Sequence, residues 1–220
     1  MSFELLVFDL DGTLIDSALD LALSVNAVRA NAGMDPLPHE TIYTYVGNGA
    51  PMLIQRALGP DADEKQVESG LRYFFGYYHE HMLDNTDLYP GVRESLDRWQ
   101  GEGRKMAVLT NKPVRFTQHI IEGLGLTDHF GRVYGGNSFE TKKPDPQGLE
   151  TIMRELTGTA EGTLMIGDSS VDILTAKNAG VTSAGVTYGL RPETFEEHPP
   201  DIVADSMPEL AERLAAARAS

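Results

Sequence analysis

Short, continuously apolar segments that end in acidic or polar residues restrict the fold of this chain more than any other feature. Leu5–Phe8 is apolar at every position, and Asp9 follows it directly. A strand with apolar residues on both faces is typical of the interior of a parallel sheet, because helices cover both faces of such a sheet. Similar segments occur at 106–109, 133–134, 163–166, 184–186 and 202–204, with helical patterns between them. The sequence therefore predicts an α/β fold built from βαβ units around a parallel sheet.

Residues 16–85 interrupt this alternation, since they contain helical patterns and turns but no convincing strand. Apolar side chains recur there at the spacing of one helix face, at Leu71, Phe74, Phe75 and Tyr78. Such a stripe usually packs in a core rather than contacting a ligand, and here it would give the segment a small core of its own. We therefore expect a core domain formed by residues 1–15 and 86–220, with a small helical cap domain inserted at 16–85.

The charge of the chain limits its partners. The formal net charge of −15 repels nucleic acid and anionic membranes. The first apolar run is too short and too acidic for a signal peptide, and no run is long enough to cross a membrane. The absence of cysteine excludes disulfides and thiolate metal sites. We expect a cytoplasmic monomer or small homo-oligomer that acts on a small molecule and binds neither nucleic acid nor membrane.

Two pairs of aspartates follow predicted strands. Asp9 and Asp11 stand two residues apart after the first strand, and Gly12 then permits a sharp turn. Asp168 and Asp172 follow a later strand. Repulsion between neighbouring carboxylates lets one act as an ionised nucleophile beside Mg²⁺ while the other holds a proton. Each pair alone is equally compatible with a turn that ends a strand or with acids that cap a helix.

Two further segments place polar groups where a phosphate could bind. Thr110 and Asn111 follow the strand at 106–109, where a hydroxyl and an amide could donate to phosphate oxygens. Lys143 precedes a predicted helix that Asp145 could cap, and its ammonium could neutralise a carboxylate and a transferring phosphoryl group. A helix start and a solvated surface lysine are the alternatives. All these groups fall at predicted strand ends, where open α/β sheets place their sites.

These segments, in this order, closely resemble the four motifs of the haloacid dehalogenase-like hydrolase superfamily. The matching residues are Asp9-Leu-Asp-Gly-Thr13, Leu109-Thr110-Asn111, Lys143-Pro-Asp-Pro146 and Gly167-Asp168-Ser-Ser-Val-Asp172. The resemblance spans nearly the whole chain. It implies a doubly wound parallel sheet, which is a Rossmann-like core, with an inserted helical cap.

The resemblance also implies a magnesium-dependent phosphatase. It makes Asp9 the nucleophile that forms an aspartyl-phosphate and Asp11 the general acid and base, and it assigns stabilisation of phosphate and charge to Thr110 and Lys143. It implies a Mg²⁺ site that includes a side-chain oxygen of Asp9, the backbone carbonyl of Asp11, and the side chains of Asp168 and Asp172. Because haloacid dehalogenases lack an acid at the position of Asp11, dehalogenation is not expected.

Within the superfamily, the predicted cap is similar to that of the phosphoglycolate phosphatases, and Lys112 matches them too. The Gly-Asn-Gly turn that ends at Gly49 can bring backbone donors close to a small anion, and Arg56 could hold a carboxylate with two hydrogen bonds. An ordinary loop followed by a surface arginine is the alternative. The expected substrate is thus a small phosphorylated metabolite such as 2-phosphoglycolate, contacted by Gly12, Gly49, Arg56, Thr110, Asn111 and Lys143.

Two alternatives stay open. A phosphatase of the same superfamily could act on a sugar phosphate, a nucleotide or pyrophosphate instead. A receiver-like phospho-acceptor signalling module also combines clustered aspartates, a threonine, a lysine and Mg²⁺ on a parallel sheet. Such modules are shorter and lack a cap, so the insertion at 16–85 favours an enzyme.

Overall fold

The computed structural model describes residues 3–219; residues 1, 2 and 220 of the predicted core domain lie outside the described part. Its strands are β1 (Leu5–Phe8), β2 (Ile15–Asp16), β3 (Asp87–Leu88), β4 (Lys105–Leu109), β5 (Arg132–Tyr134), β6 (Thr163–Gly167), β7 (Thr182–Val186) and β8 (Ile202–Ala204). Its α-helices are α1 (Ala18–Asn31), α2 (His39–Tyr43), α3 (Ala50–Leu58), α4 (Glu64–His81), α5 (Val92–Gly101), α6 (Val114–Gly123), α7 (Gln147–Glu155), α8 (Ser170–Ala179) and α9 (Met207–Ala219). Short 3₁₀ helices lie at Thr127–His129 and Pro192–Glu196.

Six strands form one parallel sheet in the order β5-β4-β1-β6-β7-β8. All six contain the apolar segments that the sequence identifies, so the predicted parallel sheet is confirmed. The chain builds outward from the central strand β1 in both directions. This is the arrangement of a doubly wound fold.

Helices cover both faces of this sheet, and the side chains of β1 alternate between the two apolar cores that lie beneath them. Leu6 and Phe8 point into one core, which also contains Trp99 of α5. Leu5 and Val7 point into the other, with side chains of α7 and α8. Burial on both faces explains why the strand has no polar residue until it ends.

The register of the sheet aligns the ends of its central strands. Phe8, the last residue of β1, pairs with Val108 of β4 on one side and with Ile166 of β6 on the other. The residues that follow each of these strands therefore come to one edge of the sheet. The loops at this edge hold the candidate site.

Helices α1 to α4 lie within residues 16–85, which we call the insertion because they separate β1 from the next strand of the six-stranded sheet, β4. The two chain segments that lead into and out of it pair as the antiparallel strands β2 and β3. Asp20 joins the same two segments: its Oδ2 accepts hydrogen bonds from the backbone N and the Oγ1 of Thr86, each at 2.8 Å, and its Oδ1 accepts one from Asn85 Nδ2 at 2.7 Å. Asp20 is buried, and its four donors, which include the Asn85 backbone N, compensate for its burial.

The aromatic stripe of α4 differs from the expectation of a separate small core. Phe74 and Tyr78 belong to the same apolar core as β1. The ring of Phe116, on α6, lies 5.5 Å from Phe75 and 5.4 Å from Tyr78, measured between centroids. The insertion thus packs directly on the sheet domain. Within residues 3–219, no helix is both long and apolar enough to span a membrane.

Candidate active site

Three buried carboxylates meet at the strand edge. Asp9 follows β1, Asp168 follows β6, and Asp172 lies in the first turn of α8. One carboxylate oxygen from each lies within 4.8 Å of the others. Because α8 begins shortly after β6, the first turn of α8 brings Asp172 to the same edge of the sheet as Asp168.

Lys143 places a cation inside this acidic cluster. Its Nζ lies 3.0 Å from Asp9 Oδ1 and 2.5 Å from Asp172 Oδ1. The side chain is buried, so the surface-lysine alternative is wrong. Three ionised carboxylates and one ammonium leave two negative charges. Hard carboxylate oxygens with this residual charge fit a divalent cation such as Mg²⁺ or Ca²⁺.

The protonation of the cluster reflects this imbalance. Burial raises the pKa of Asp9 to about 6, an effect that Lys143 opposes and the Asp172 carboxylate increases. Burial, together with the nearby Asp172 and Asp9 carboxylates, holds the pKa of Asp168 well above its usual range. Burial alone would lower the pKa of Lys143, but the carboxylates of Asp172 and Asp9 raise it. The lysine therefore stays charged, whereas the carboxylates need more positive charge than one ammonium provides.

Hydrogen bonds and close contact with the backbone hold the carboxylate of Asp168 in place. Its Oδ2 accepts hydrogen bonds from the backbone N of Leu190 at 2.7 Å and of Arg191 at 3.2 Å, and Thr13 Oγ1 donates to its Oδ1 at 3.3 Å. Gly12 has a φ of +81°, and a Cβ there would lie 2.2 Å from Asp168 Oδ2. Only glycine leaves room for the carboxylate while it turns the chain.

Asp172 has one oxygen for the helix and one for the site. Its Oδ2 accepts hydrogen bonds from the backbone N of Ser169 at 3.2 Å and from Ser169 Oγ at 2.8 Å. Its Oδ1 accepts a hydrogen bond from Lys143 Nζ. Asp172 therefore bonds the start of α8 through Oδ2 and belongs to the acidic cluster through Oδ1.

The side chain of Asp11 does not join the three-carboxylate cluster. Its Oδ1 accepts hydrogen bonds from Ser17 Oγ at 2.5 Å and from Lys112 Nζ at 2.7 Å. Asp9 and Asp11 thus have different partners: Asp9 lies beside Lys143, and Asp11 forms an ion pair with Lys112.

The second motif contributes differently from the expectation. Thr110 is buried at the pocket wall. The side-chain amide of Asn111, which was expected to donate to a phosphate, donates instead to the backbone O of Gly47 and of Lys143, each at 3.0 Å. Asn111 Oδ1 is buried and finds no partner among the described residues. Asn111 is therefore a bridge between the insertion and the sheet domain rather than a free donor.

A pocket opens over Asp9 between the sheet edge and the insertion. Its wall includes the apolar side chains Leu21, Val46, Leu53, Phe74, Tyr78 and Phe116, together with Gly49, Thr110, Asn111, Lys112 and Arg191. Arg56 does not line this pocket; it is exposed in a neighbouring cleft, where its Nη1 donates to the Tyr45 carbonyl at 3.2 Å. Arg56 is therefore a surface arginine, which was the alternative to the expected contact with a substrate.

The sequence analysis missed the functional position of two groups. Lys112 appeared only as a residue in common with a family, whereas it is buried at the pocket wall and paired with Asp11. Tyr78 appeared only as a packing residue, whereas its ring lies 4.7 Å from Lys112 Nζ and lines the pocket. The position of Lys112 two residues after Thr110, at the same strand end, was the available signal.

Comparison with known proteins agrees with this geometry. The model of the family described as haloacid dehalogenase-like hydrolase matches residues 6–186. A protein named phosphoglycolate phosphatase from Colwellia psychrerythraea is 40% identical over 94% of this chain and 95% of its own length. One of the same name from Vibrio parahaemolyticus is 41% identical over 96% of each chain. A crystal structure described as a predicted phosphoglycolate phosphatase from Haemophilus somnus superposes with a TM-score of 0.91 at 32% identity, covering 97% of this chain and 98% of that one. The chain therefore belongs to the haloacid dehalogenase-like hydrolase family.

Proposed function

We propose that this protein is a magnesium-dependent phosphatase that hydrolyses 2-phosphoglycolate through an aspartyl-phosphate on Asp9. The observation that carries the proposal is the buried cluster in which Lys143 Nζ contacts Asp9 and Asp172 beside Asp168. The relatives named phosphoglycolate phosphatase, at 40% and 41% identity over nearly the whole chain, support the substrate.

In the first step, a carboxylate oxygen of Asp9 attacks the phosphorus in line with the ester oxygen. The new Asp9–phosphorus bond forms as the bond from phosphorus to the ester oxygen breaks. Asp11 enters this step in its protonated form and gives the proton to the leaving alkoxide. Lys143 lies close enough to Asp9 to stabilise the charge on the transferring group. In the second step Asp11 takes a proton from a water that attacks the acyl phosphate, which returns Asp9 and releases phosphate.

Asp9, Asp168 and Asp172, with the backbone carbonyl of Asp11, would hold Mg²⁺ in this scheme. When bound, Mg²⁺ would supply the positive charge that offsets the carboxylates and the phosphate dianion. The donor set supports this choice, because it consists of oxygen atoms that carry two excess negative charges.

We also propose that residues 16–85 act as a cap that closes over the pocket. Three side chains of the sheet domain donate to backbone oxygens of one insertion segment: Arg191 Nη1 to Thr44 at 2.7 Å, Asn111 Nδ2 to Gly47 at 3.0 Å, and Lys142 Nζ to Asn48 at 2.7 Å. Closure of this kind would exclude bulk water during phosphoryl transfer.

A panel of small phosphate esters, assayed for phosphate release with and without Mg²⁺, tests the proposal. We expect rapid multiple turnover of 2-phosphoglycolate that EDTA abolishes. Preference for a sugar phosphate, a nucleotide or pyrophosphate would contradict the substrate. A single phosphorylation event without steady phosphate release would instead indicate a phospho-acceptor module.

A further inference from the structure

Lys112 is a buried cation at the pocket wall for which the proposed chemistry has no direct use. Only 5% of its side chain is exposed. Its Nζ lies 2.7 Å from Asp11 Oδ1 and 4.7 Å from the centroid of the Tyr78 ring. The ion pair with Asp11 favours the charged form of the ammonium. An ammonium group has three N–H donors, so the bond to Asp11 does not exhaust it.

The chemistry of the ester places a substrate carboxylate beside this ammonium. Asp11 must reach the ester oxygen in order to give it a proton. In 2-phosphoglycolate a single methylene separates that oxygen from the carboxylate. Since Lys112 contacts Asp11, a carboxylate so close to the ester oxygen lies within its reach.

The rest of the wall gives such a carboxylate few alternatives. The insertion contributes mainly apolar side chains, and an unpaired carboxylate against them would be strongly unfavourable. Among the described residues that line the pocket, Arg191 is the other cation. Its Nε already donates to Glu193 Oε1 at 2.6 Å, and its Nη1 donates to the Thr44 carbonyl at 2.7 Å. Both of these bonds hold Arg191 to the loops around it, whereas Lys112 Nζ contacts Asp11, the proposed general acid, at 2.7 Å.

We propose that Lys112 binds the carboxylate of the substrate and thereby selects phosphate esters that carry a carboxylate next to the ester carbon. This inference rests on the proposed function and adds the residue that would determine specificity. Lys112 would contact Asp11 and the substrate at once, and so hold the general acid beside the leaving oxygen.

The test compares two substrates of nearly the same shape: 2-phosphoglycolate and its amide, carbamoylmethyl phosphate, which lacks the carboxylate charge. We expect the wild-type protein to prefer the acid in kcat/KM by at least about tenfold, as for a charge-assisted hydrogen bond. In Lys112→Met this preference should largely disappear. The preference of Arg191→Met, the matched control at the other cation, should stay close to that of the wild type.

Each result has one meaning. Rapid wild-type hydrolysis of both compounds without preference would overturn the inference, and this measurement needs no variant that might fail to fold. A preference that survives in Lys112→Met, or that disappears only in Arg191→Met, would overturn it as well. Slow hydrolysis of both compounds beside rapid hydrolysis of another ester would contradict the proposed substrate instead.

Discussion

Replacing Lys143 with methionine removes the cation from the acidic cluster while keeping much of the side chain's volume. At an effective dielectric constant of 20, two unit charges 3.0 Å apart, the distance between Lys143 Nζ and Asp9 Oδ1, attract by about 5.5 kcal/mol. Desolvation of the ammonium offsets part of this attraction. Removing one partner from a buried ion pair typically costs about 3–5 kcal/mol, because the remaining charges are left uncompensated. We expect Lys143→Met to destabilise the metal-free protein by about this amount at pH 8.

The loss should be smaller at pH 5, because the raised pKa values of Asp9 and Asp168 favour their neutral forms there. The pKa of Asp9 is raised to about 6 in the folded protein, so ionisation of Asp9 lowers the free energy of unfolding. This cost is complete above about pH 6, and it is lost as the pH falls and Asp9 takes up a proton. Removal of Lys143 would raise that pKa further. Its absence therefore costs stability mainly where Asp9 is ionised. Turnover should also fall by about 10²–10³-fold, since a cation that stabilises the transferring group is lost.

Urea unfolding in EDTA at pH 5 and pH 8, combined with steady-state kinetics in Mg²⁺, would measure both effects. Lys177→Met is the matched control, because Lys177 is exposed on α8, the helix that carries Asp172. We expect the control to change stability by less than about 0.5 kcal/mol and to keep its turnover. A destabilisation by Lys143→Met that is equal at the two pH values, or below about 1 kcal/mol at pH 8, would refute the charge argument.

Three further outcomes follow from the site. Asp9→Asn should abolish turnover and keep the fold, because an amide cannot form the acyl phosphate; retention of most magnesium-dependent activity would contradict the role of Asp9. Asp11→Asn should slow hydrolysis by about two orders of magnitude or more through loss of proton transfer, and near-normal turnover of alkyl phosphates would contradict that role. Saturating Mg²⁺ should raise the melting temperature by about 5–10 °C at pH 8, since a ligand at 100 times its Kd adds about 2.7 kcal/mol. This shift should shrink at pH 5, where protons compete for Asp9 and Asp168, whose pKa values are raised; an equal shift at both pH values would contradict binding at this cluster.

Most of the sheet could be predicted from the sequence because burial on both faces leaves a local signal. A strand such as β1 must be apolar at consecutive positions, and this pattern cannot be mistaken for an exposed strand. The register then brings the residues after β1, β4 and β6 to one edge. The convergence of Asp9, Thr110 and Asp168 follows from the topology, so the sequence could place these three before any coordinates were known.

The direction of each side chain within the site could not be predicted. Asp9 and Asp11 look equivalent in the sequence, yet one pairs with Lys143 and the other with Lys112. Which lysine pairs with which aspartate depends on the tertiary fold, which brings distant segments of the chain together. Asn111 shows the same limit, because its amide satisfies two backbone oxygens that no sequence pattern marks.

The contact between the insertion and the sheet domain is hidden for a related reason. Arg191, Asn111 and Lys142 all donate to backbone oxygens of residues 44–48. Every residue offers a carbonyl oxygen, so the acceptor side of these contacts leaves no trace in residue type. The donors are arginine, asparagine and lysine side chains, which are also common on solvated surfaces, so residue type does not mark these contacts. A site made of carboxylates at strand ends can thus be found from sequence, because burying charge demands particular residues, whereas the hydrogen bonds between a helical insertion and the loops around that site can be recognised only from coordinates.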